Sequence, residues 1–362
     1  MGIAIALLSL VLITSYIFEY INGFHDSANA ISTVVSTKAL SPRRAIVFAA
    51  CLNFAGAFFG THVAQTIGSG MVSAGSVTQF VILCALIGAV FWNLFTWILG
   101  LPSSSSHSLI GGLLGAAIAH KCYHLGKHYE LIISLPSCHI SHPALSVINM
   151  HNIYYKIIIP MITSPILGFV VGFLVILVLL KIFYKIRPET LNRVFRKLQL
   201  FSSGFLAFSH GTNDAQMTMG IITLSLLSFG VLKEKSFYIP TWVIITCAAT
   251  MACGTMTGGW KIIRTMSSKV VKMKPIHGFS VELASASIIF TAAHLGFPVS
   301  TTHIISTAIV GVGSMAKASA VKWGIFKKIV LAWIFTIPVC MIISATTYFT
   351  LMKIYLVVKH FA

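Results

Sequence analysis

Acidic residues are scarce in this chain. It has 7 Asp and Glu among 362 residues, against 25 Lys and Arg, and only 9% of the sequence is charged. A water-soluble domain carries about 25% charged and about 45–50% apolar residues. Here 57% are hydrophobic and the mean hydropathy is +0.91. That composition leaves too little polar surface to cover a water-facing globule, which excludes a soluble enzyme, a disordered chain and a disulfide-rich secreted scaffold. Short strands of alternating polarity, which a transmembrane barrel needs, are also missing. No Walker A loop is present, which argues against an ATP-driven pump. The 7 Cys show no CxxC or Cys/His spacing of a metal site. Five of them, Cys51, Cys84, Cys247, Cys253 and Cys340, sit in apolar runs, while Cys122 and Cys138 share a polar loop where a disulfide is one option. Residues 1–21 lack a basic leader and a small-residue cleavage site, so a first span is expected there.

The apolar runs are long and continuous, so the expected fold is an all-α integral membrane protein. A helical span takes roughly 20 residues. Polar breaks divide the chain into ten elements, 3–37, 45–66, 80–99, 103–120, 157–180, 201–231, 240–260, 278–296, 299–316 and 326–350. The first and sixth are expected to be interrupted, so the count of transmembrane elements is 10–12. Loops 38–44, 181–197, 261–274 and 317–328 hold 18 of the 25 Lys and Arg. The alternate loops hold only Lys121, Lys127, Lys156, Lys233, Lys235, Lys353 and Lys359. The basic loops therefore read as cytoplasmic, with both termini outside. The net charge of +18 is accounted for by these loops, and no nucleic-acid partner is expected.

Two stretches of the sequence occur twice. GFHDSANAI at 23–31 is echoed by GTNDAQMTMGI at 211–221, pairing Asp26 with Asp214 and His25 with Asn213. PSSSSH at 102–107 is echoed by PVSTTH at 298–303, and Gly115 matches Gly311. The copies lie five elements apart, an odd number, so the second enters the membrane from the opposite side. Inverted-topology repeats of this kind are the plan of many secondary transporters. The expected division is a first repeat with its outside polar loop at 1–156, a connecting span and basic loop at 157–200, and a second repeat with a C-terminal span at 201–362.

Four acids fall at or within membrane elements: Glu19, Asp26, Asp214 and Glu282. An acid at mid-helix costs about 2.5–3.5 kcal/mol on insertion scales, so four that do nothing would be an expensive burden. Asp26 and Asp214 stand at matching repeat positions beside Asn, Gln, Gly and Ala, a composition suited to an unwound, cation-binding segment. The hydroxyls after Pro102 and Pro298 admit two readings. As N-caps they would only hold helices together. As paired helix starts they would offer N–H and O–H donors to a tetrahedral oxyanion. His107 and His303, also matched, either pack or relay protons. The six histidines between 120 and 151 read as a solvated polar loop rather than a metal surface. No Ser is singled out with a base, so an enzyme is not expected. A channel fits broken helices and duplicated carboxylates less well than alternating access does.

At GFHDSANAI, PSSSSH, FSHGTNDAQ (208–216), GFSVELASA (278–286) and PVSTTH, the sequence resembles the inorganic phosphate transporter (PiT) family, over roughly 16–316 and in the right order. His25 and the context of Gln216 suggest its bacterial branch. The resemblance implies a secondary symporter that imports phosphate, or a metal–phosphate complex, with H⁺ or Na⁺. Sulfate is the alternative cargo and an anion channel the less favoured alternative class. It implies that Ser104, Ser105, Ser106, Ser300, Thr301, Thr302, Asn213 and Gln216 hold substrate. It also implies that Asp26, Asn29, Asp214 and Glu282 bind or couple the cation, with His25, His107 and His303 as candidate proton carriers. No cofactor or bound metal is implied beyond the coupling ion. A multi-pass place in the bacterial inner membrane is implied, and a homodimer is compatible with it. One departure stands out: bacterial relatives commonly carry Lys after Asn-Asp-Ala-Gln, and here that position is Met217.

Overall fold

Long apolar runs become helices because every N–H and C=O in a bilayer must be satisfied within its own segment. The computed structural model describes residues 2–72, 77–128, 145–232, 237–316 and 318–361. Cys138, His139 and His142 lie outside the described residues, and with them the Cys122–Cys138 option. The helices, in order, are α1 (Gly2–Ser36), α2 (Pro42–Gly56), α3 (His62–Gly70), α4 (Gln79–Leu99), α5 (Ser105–His128) and α6 (Met150–Ile182). They continue as α7 (Pro188–Phe229), α8 (Thr241–Thr257), α9 (Trp260–Arg264), α10 (Pro275–His294), α11 (Thr301–Ala316) and α12 (Trp323–Phe361). Among the described residues the one β contact is an isolated bridge between Val72 and Ile148.

By length and composition α1, α4, α6, α10 and α12 can each cross a membrane, and the bent pair formed by α8 with 260–267 makes a sixth span. The other helices are too short (α2, α3, α11) or too polar (α5, α7) to pass alone. Their small and polar residues are buried inside the bundle instead.

The packing exchanges elements between the halves. α1 packs on α8 and α7 packs on α2, while α5 packs on α12 and α11 on α6. Glycine makes these crossings close, as small residues do between membrane helices. A Cβ on Gly23 would lie 2.3 Å from Met251 O, and one on Gly254 would lie 2.2 Å from Tyr20 O. The related crossing repeats this arrangement, with Gly56 2.1 Å from Phe208 O and Gly211 2.2 Å from Asn53 O. Gly115 and Gly311, matched in sequence, lie against the backbones of α12 and α6, at Met341 O and Phe169 O.

The breaks fall elsewhere than expected. α1 and α7 run unbroken through Asp26 and Asp214. No proline lies near either acid, and the carboxylates are met by His25 and Asn213 of their own helices and by Thr301 of α11, so nothing forces unwinding. The carbonyls there remain committed to the helix, leaving only side chains to bind. The expected straight element at 45–66 instead splits into α2 and α3, with Gly60 at φ +97 between them. The element at 240–260 bends by 58° where α8 meets the next helix at Gly258 and Gly259. α4–α5 and α10–α11 form two hairpins, each turning at a glycine in the left-handed region, Gly100 (φ +66) and Gly296 (φ +74). Such a residue ends a helix at little steric cost.

Candidate substrate and cation site

The two hairpin tips meet α1 and α7 deep inside the bundle. On α1, His25 Nδ1 lies 2.9 Å from Asp26 Oδ1. Its Nε2 faces Thr96 Oγ1 at 3.2 Å and Ser103 Oγ at 3.4 Å. With Nδ1–H donating to the carboxylate, Nε2 is left as an acceptor towards Ser103 Oγ, since Thr96 Oγ1 donates to Trp92 O. On α7, Asn213 Nδ2 donates to Asp214 Oδ1 at 2.7 Å and to Val299 O at 3.0 Å. His210 Nε2 lies 3.1 Å from Asp214 Oδ2, close enough for an ion pair but poorly aligned for a hydrogen bond. Its Nδ1 lies 3.2 Å from Asn53 Oδ1.

The second tip closes the site. Thr301 Oγ1 donates to Asp214 Oδ2 at 3.2 Å. Asn29 Nδ2 donates to Thr302 Oγ1 at 2.8 Å, and Thr302 Oγ1 donates to Ser103 O at 3.0 Å. Asp26, Asn29, Asn213, Asp214, Thr301 and Thr302 are therefore one connected, buried cluster. Asp26, His210 and Asp214 each offer a ligand atom, and these atoms lie within 4.8 Å of one another; among the described residues no other group has such spacing.

The hydroxyls divide between two jobs. Ser104 Oγ accepts from His107 N and Ser300 Oγ from His303 N, both at 3.2 Å, so these repeat mates are N-caps. Ser105 Oγ is buried without a protein partner, and Thr301, its mate, reaches Asp214. Ser106 is buried one position on. Two helix starts thus face each other across the hairpin tips, each bringing a positive dipole end.

Gln216, Glu282, His107 and His303, and with them the buried acid Glu19, sit apart from this cluster. Gln216 caps α3: its Oε1 accepts from Val63 N at 2.8 Å and Ala64 N at 3.2 Å. Glu282 has its own centre, where Thr33 and Gln199 donate to Oε1 at 2.6 and 2.8 Å and Ser202 donates to Oε2 at 2.5 Å. Glu19 accepts a hydrogen bond from Thr218. His107 and His303 meet each other, and His303 stacks on Trp333 with centroids 4.1 Å apart. The sequence reading missed His210, Asn53, Thr96 and Gln199. Only His210 carried a local signal, standing one helical turn before Asp214 on the same face.

A profile of the phosphate transporter family matches residues 22–344 of this sequence. The chain belongs to the phosphate transporter family. It is 44% identical over 333 residues to a probable low-affinity inorganic phosphate transporter of Rhizobium meliloti (strain 1021), covering 92% of each chain. It is 42% identical over 357 residues to one from Bacillus subtilis (strain 168), covering 98% of this chain and all of the relative (100%). In fold it is similar to a solved sodium-dependent phosphate transporter, with a TM-score of 0.83 at 24% identity, covering 96% of this chain and 100% of the other. This phosphate transporter family member is a multi-pass membrane protein and a transporter, not an enzyme. Its matched stretch takes in both halves and every residue of the buried cluster.

Proposed function

We propose that the chain imports inorganic phosphate by alternating access, coupled to protons. One observation carries this reading: hydroxyls from hairpin tips in opposite halves converge on a carboxylate–amide cluster of α1 and α7, with Thr301 Oγ1 3.2 Å from Asp214 Oδ2. Paired helix starts favour an oxyanion, and the carboxylates supply a seat for the cation that travels with it.

The choice of proton over sodium rests on the two imidazoles. Each site carboxylate has a histidine beside it, at 2.9 Å for Asp26 and 3.1 Å for Asp214. A hard cation such as Na⁺ prefers an all-oxygen shell, whereas an imidazole–carboxylate pair readily holds a proton. The distribution of Lys and Arg supports cytoplasmic basic loops and outside termini, and the bacterial relatives support a place in the bacterial inner membrane.

The test is uptake of radiolabelled phosphate into proteoliposomes, with Na⁺ and pH gradients imposed separately. Uphill accumulation driven by an inward pH gradient alone is expected. Accumulation driven only by Na⁺ would reverse the choice of ion. Uptake that never exceeds equilibrium would make the protein a channel, and stronger competition by sulfate than by phosphate would change the cargo.

A further inference from the structure

A polar cavity, of about 350 Å³, opens between α3, the tip of the α10–α11 hairpin and the first turns of α6. Lys156, Asn152, His62 and Thr66 face it, together with Leu295 and Gly296. His62 and His294 come from different halves, and their rings lie edge to face with centroids 5.8 Å apart. Thr66 Oγ1 donates to Gly296 O at 2.8 Å, tying α3 to the hairpin tip. Lys156 Nζ donates to that same hydroxyl at 3.4 Å. An ammonium has three donors, and among the described residues Lys156 has no carboxylate partner. Among the described residues no acid lines the cavity.

Lys156 and Asn152 lie near the start of the α6 span, and both histidines are exposed. Charged and amide groups presented to lipid are expensive, so this cavity must face water. It lies on the side opposite the basic loops, because α6 runs from here into the loop at 181–197. Two chain segments link it to the central cluster. His62 directly precedes Val63 and Ala64, whose N–H groups are held by Gln216, two residues after Asp214. Gly296 is four residues before Ser300 on the same hairpin tip.

We propose that this cavity is an outer receiving station for the oxyanion, where Lys156 draws phosphate in before it passes to the hydroxyls of the central site. The proposal rests on the reading of that central site as a phosphate site. Lys156 supplies charge, Asn152 and His62 supply donors, and no carboxylate among the described lining residues offsets that charge. A lipid phosphate headgroup has the same chemistry as the free anion, and the test separates the two.

The experiment measures phosphate uptake by Lys156→Gln in proteoliposomes of neutral phosphatidylcholine, over a range of salt. Gln keeps a donor for Thr66 and removes only the charge. At low salt KM is expected to rise about three- to tenfold, with the maximal rate unchanged. The wild-type KM is expected to climb with ionic strength and that of the variant to stay flat, as for a charge that steers encounter. Lys156→Arg should behave as wild type, which a purely packing role would not produce. A KM and salt dependence equal to wild type in Lys156→Gln would overturn the station while leaving the central site intact. An effect seen only in vesicles containing anionic lipid would assign the pocket to a headgroup and overturn it equally. Absence of phosphate uptake by the wild-type protein would instead strike the central reading, and the station with it.

Discussion

His107 and His303 meet edge to face with ring centroids 4.8 Å apart, each the third residue of its helix, α5 and α11. They are repeat mates. A residue can touch its own mate only where the axis relating the two halves passes, so this pair marks that axis inside the bundle. Neither ring is hydrogen-bonded to Asp26 or Asp214, and both nitrogens of His303 are without a partner. Replacing an unpaired buried polar group with an apolar one of similar size is close to neutral or stabilising. His303→Leu is therefore expected to retain concentrative uptake with an unchanged or raised melting temperature. Loss of uphill transport in a normally folded variant would restore a proton-carrying role to this pair.

Ser105 and Ser104 are neighbours with different duties, and substitution should separate them. Ser105 Oγ has no protein partner, so Ser105→Ala removes a donor available to the anion. A hydrogen bond to a charged group is worth about 1.5–3 kcal/mol, and the KM for phosphate should rise at least about tenfold. Ser104→Ala removes a cap, which should lower stability by about 1 kcal/mol and leave KM near wild type. Uptake kinetics normalised to folded protein, read beside thermal melts, decide both. Equal effects from the two substitutions would contradict this division.

Asp26→Asn and Asp214→Asn should each insert normally and lose concentrative uptake. Both replacements keep the size of the side chain and remove the charge that seats the cation. Counterflow exchange of phosphate should survive better than net uptake. A variant that still accumulates phosphate at the wild-type rate would show that its acid lies outside the coupling site.

The centre around Glu282 makes a separate prediction about stability. Three side chains donate to its carboxylate. Removing one donor leaves part of a buried polar group unpaired, at about 1–3 kcal/mol. Gln199→Leu should therefore lower the melting temperature in detergent, and Glu282→Gln should partly rescue it in the double variant. Additive losses would mean that the two side chains are not coupled.

Topology is open to direct labelling in a cysteine-free background. Cysteines at Thr190 and Lys272, both exposed, should react from one face of the membrane, and one at Met150 from the other. Reaction of all three from one face would break the parity on which the inverted repeat depends.

Much of this was legible in the sequence because a membrane span announces itself through length and apolarity. The repeat was legible because its motifs carry polar residues that a bilayer penalises. The positions of the breaks were not. Asp26 and Asp214 looked like unwinding points, yet their polar groups are satisfied by Thr301, His25 and Asn213, which are distant in sequence or ordinary in a helix. The α2–α3 break depends on Gly60 adopting φ +97 beside Gln216, a long-range circumstance. The same distance hides the role of Gln216 as a cap, since its partners lie 153 and 152 residues away. Ser104 and Ser300, read in sequence as members of an anion cluster, show that a hydroxyl-rich helix start serves capping first and leaves only its next residues for a ligand.

The exchange of helices between the halves has a consequence for how the protein is made. α5 rests on α12, and the glycine face it offers, at Gly111 and Gly115, is shaped for the backbone at Ile337 and Met341. That partner leaves the ribosome long after α5. At about 5–20 residues per second, more than 200 residues and therefore tens of seconds separate the two. Through that interval the early helices lie in the membrane with their grooves and buried acids uncovered, so truncated chains should be substrates for quality-control proteases rather than half-transporters.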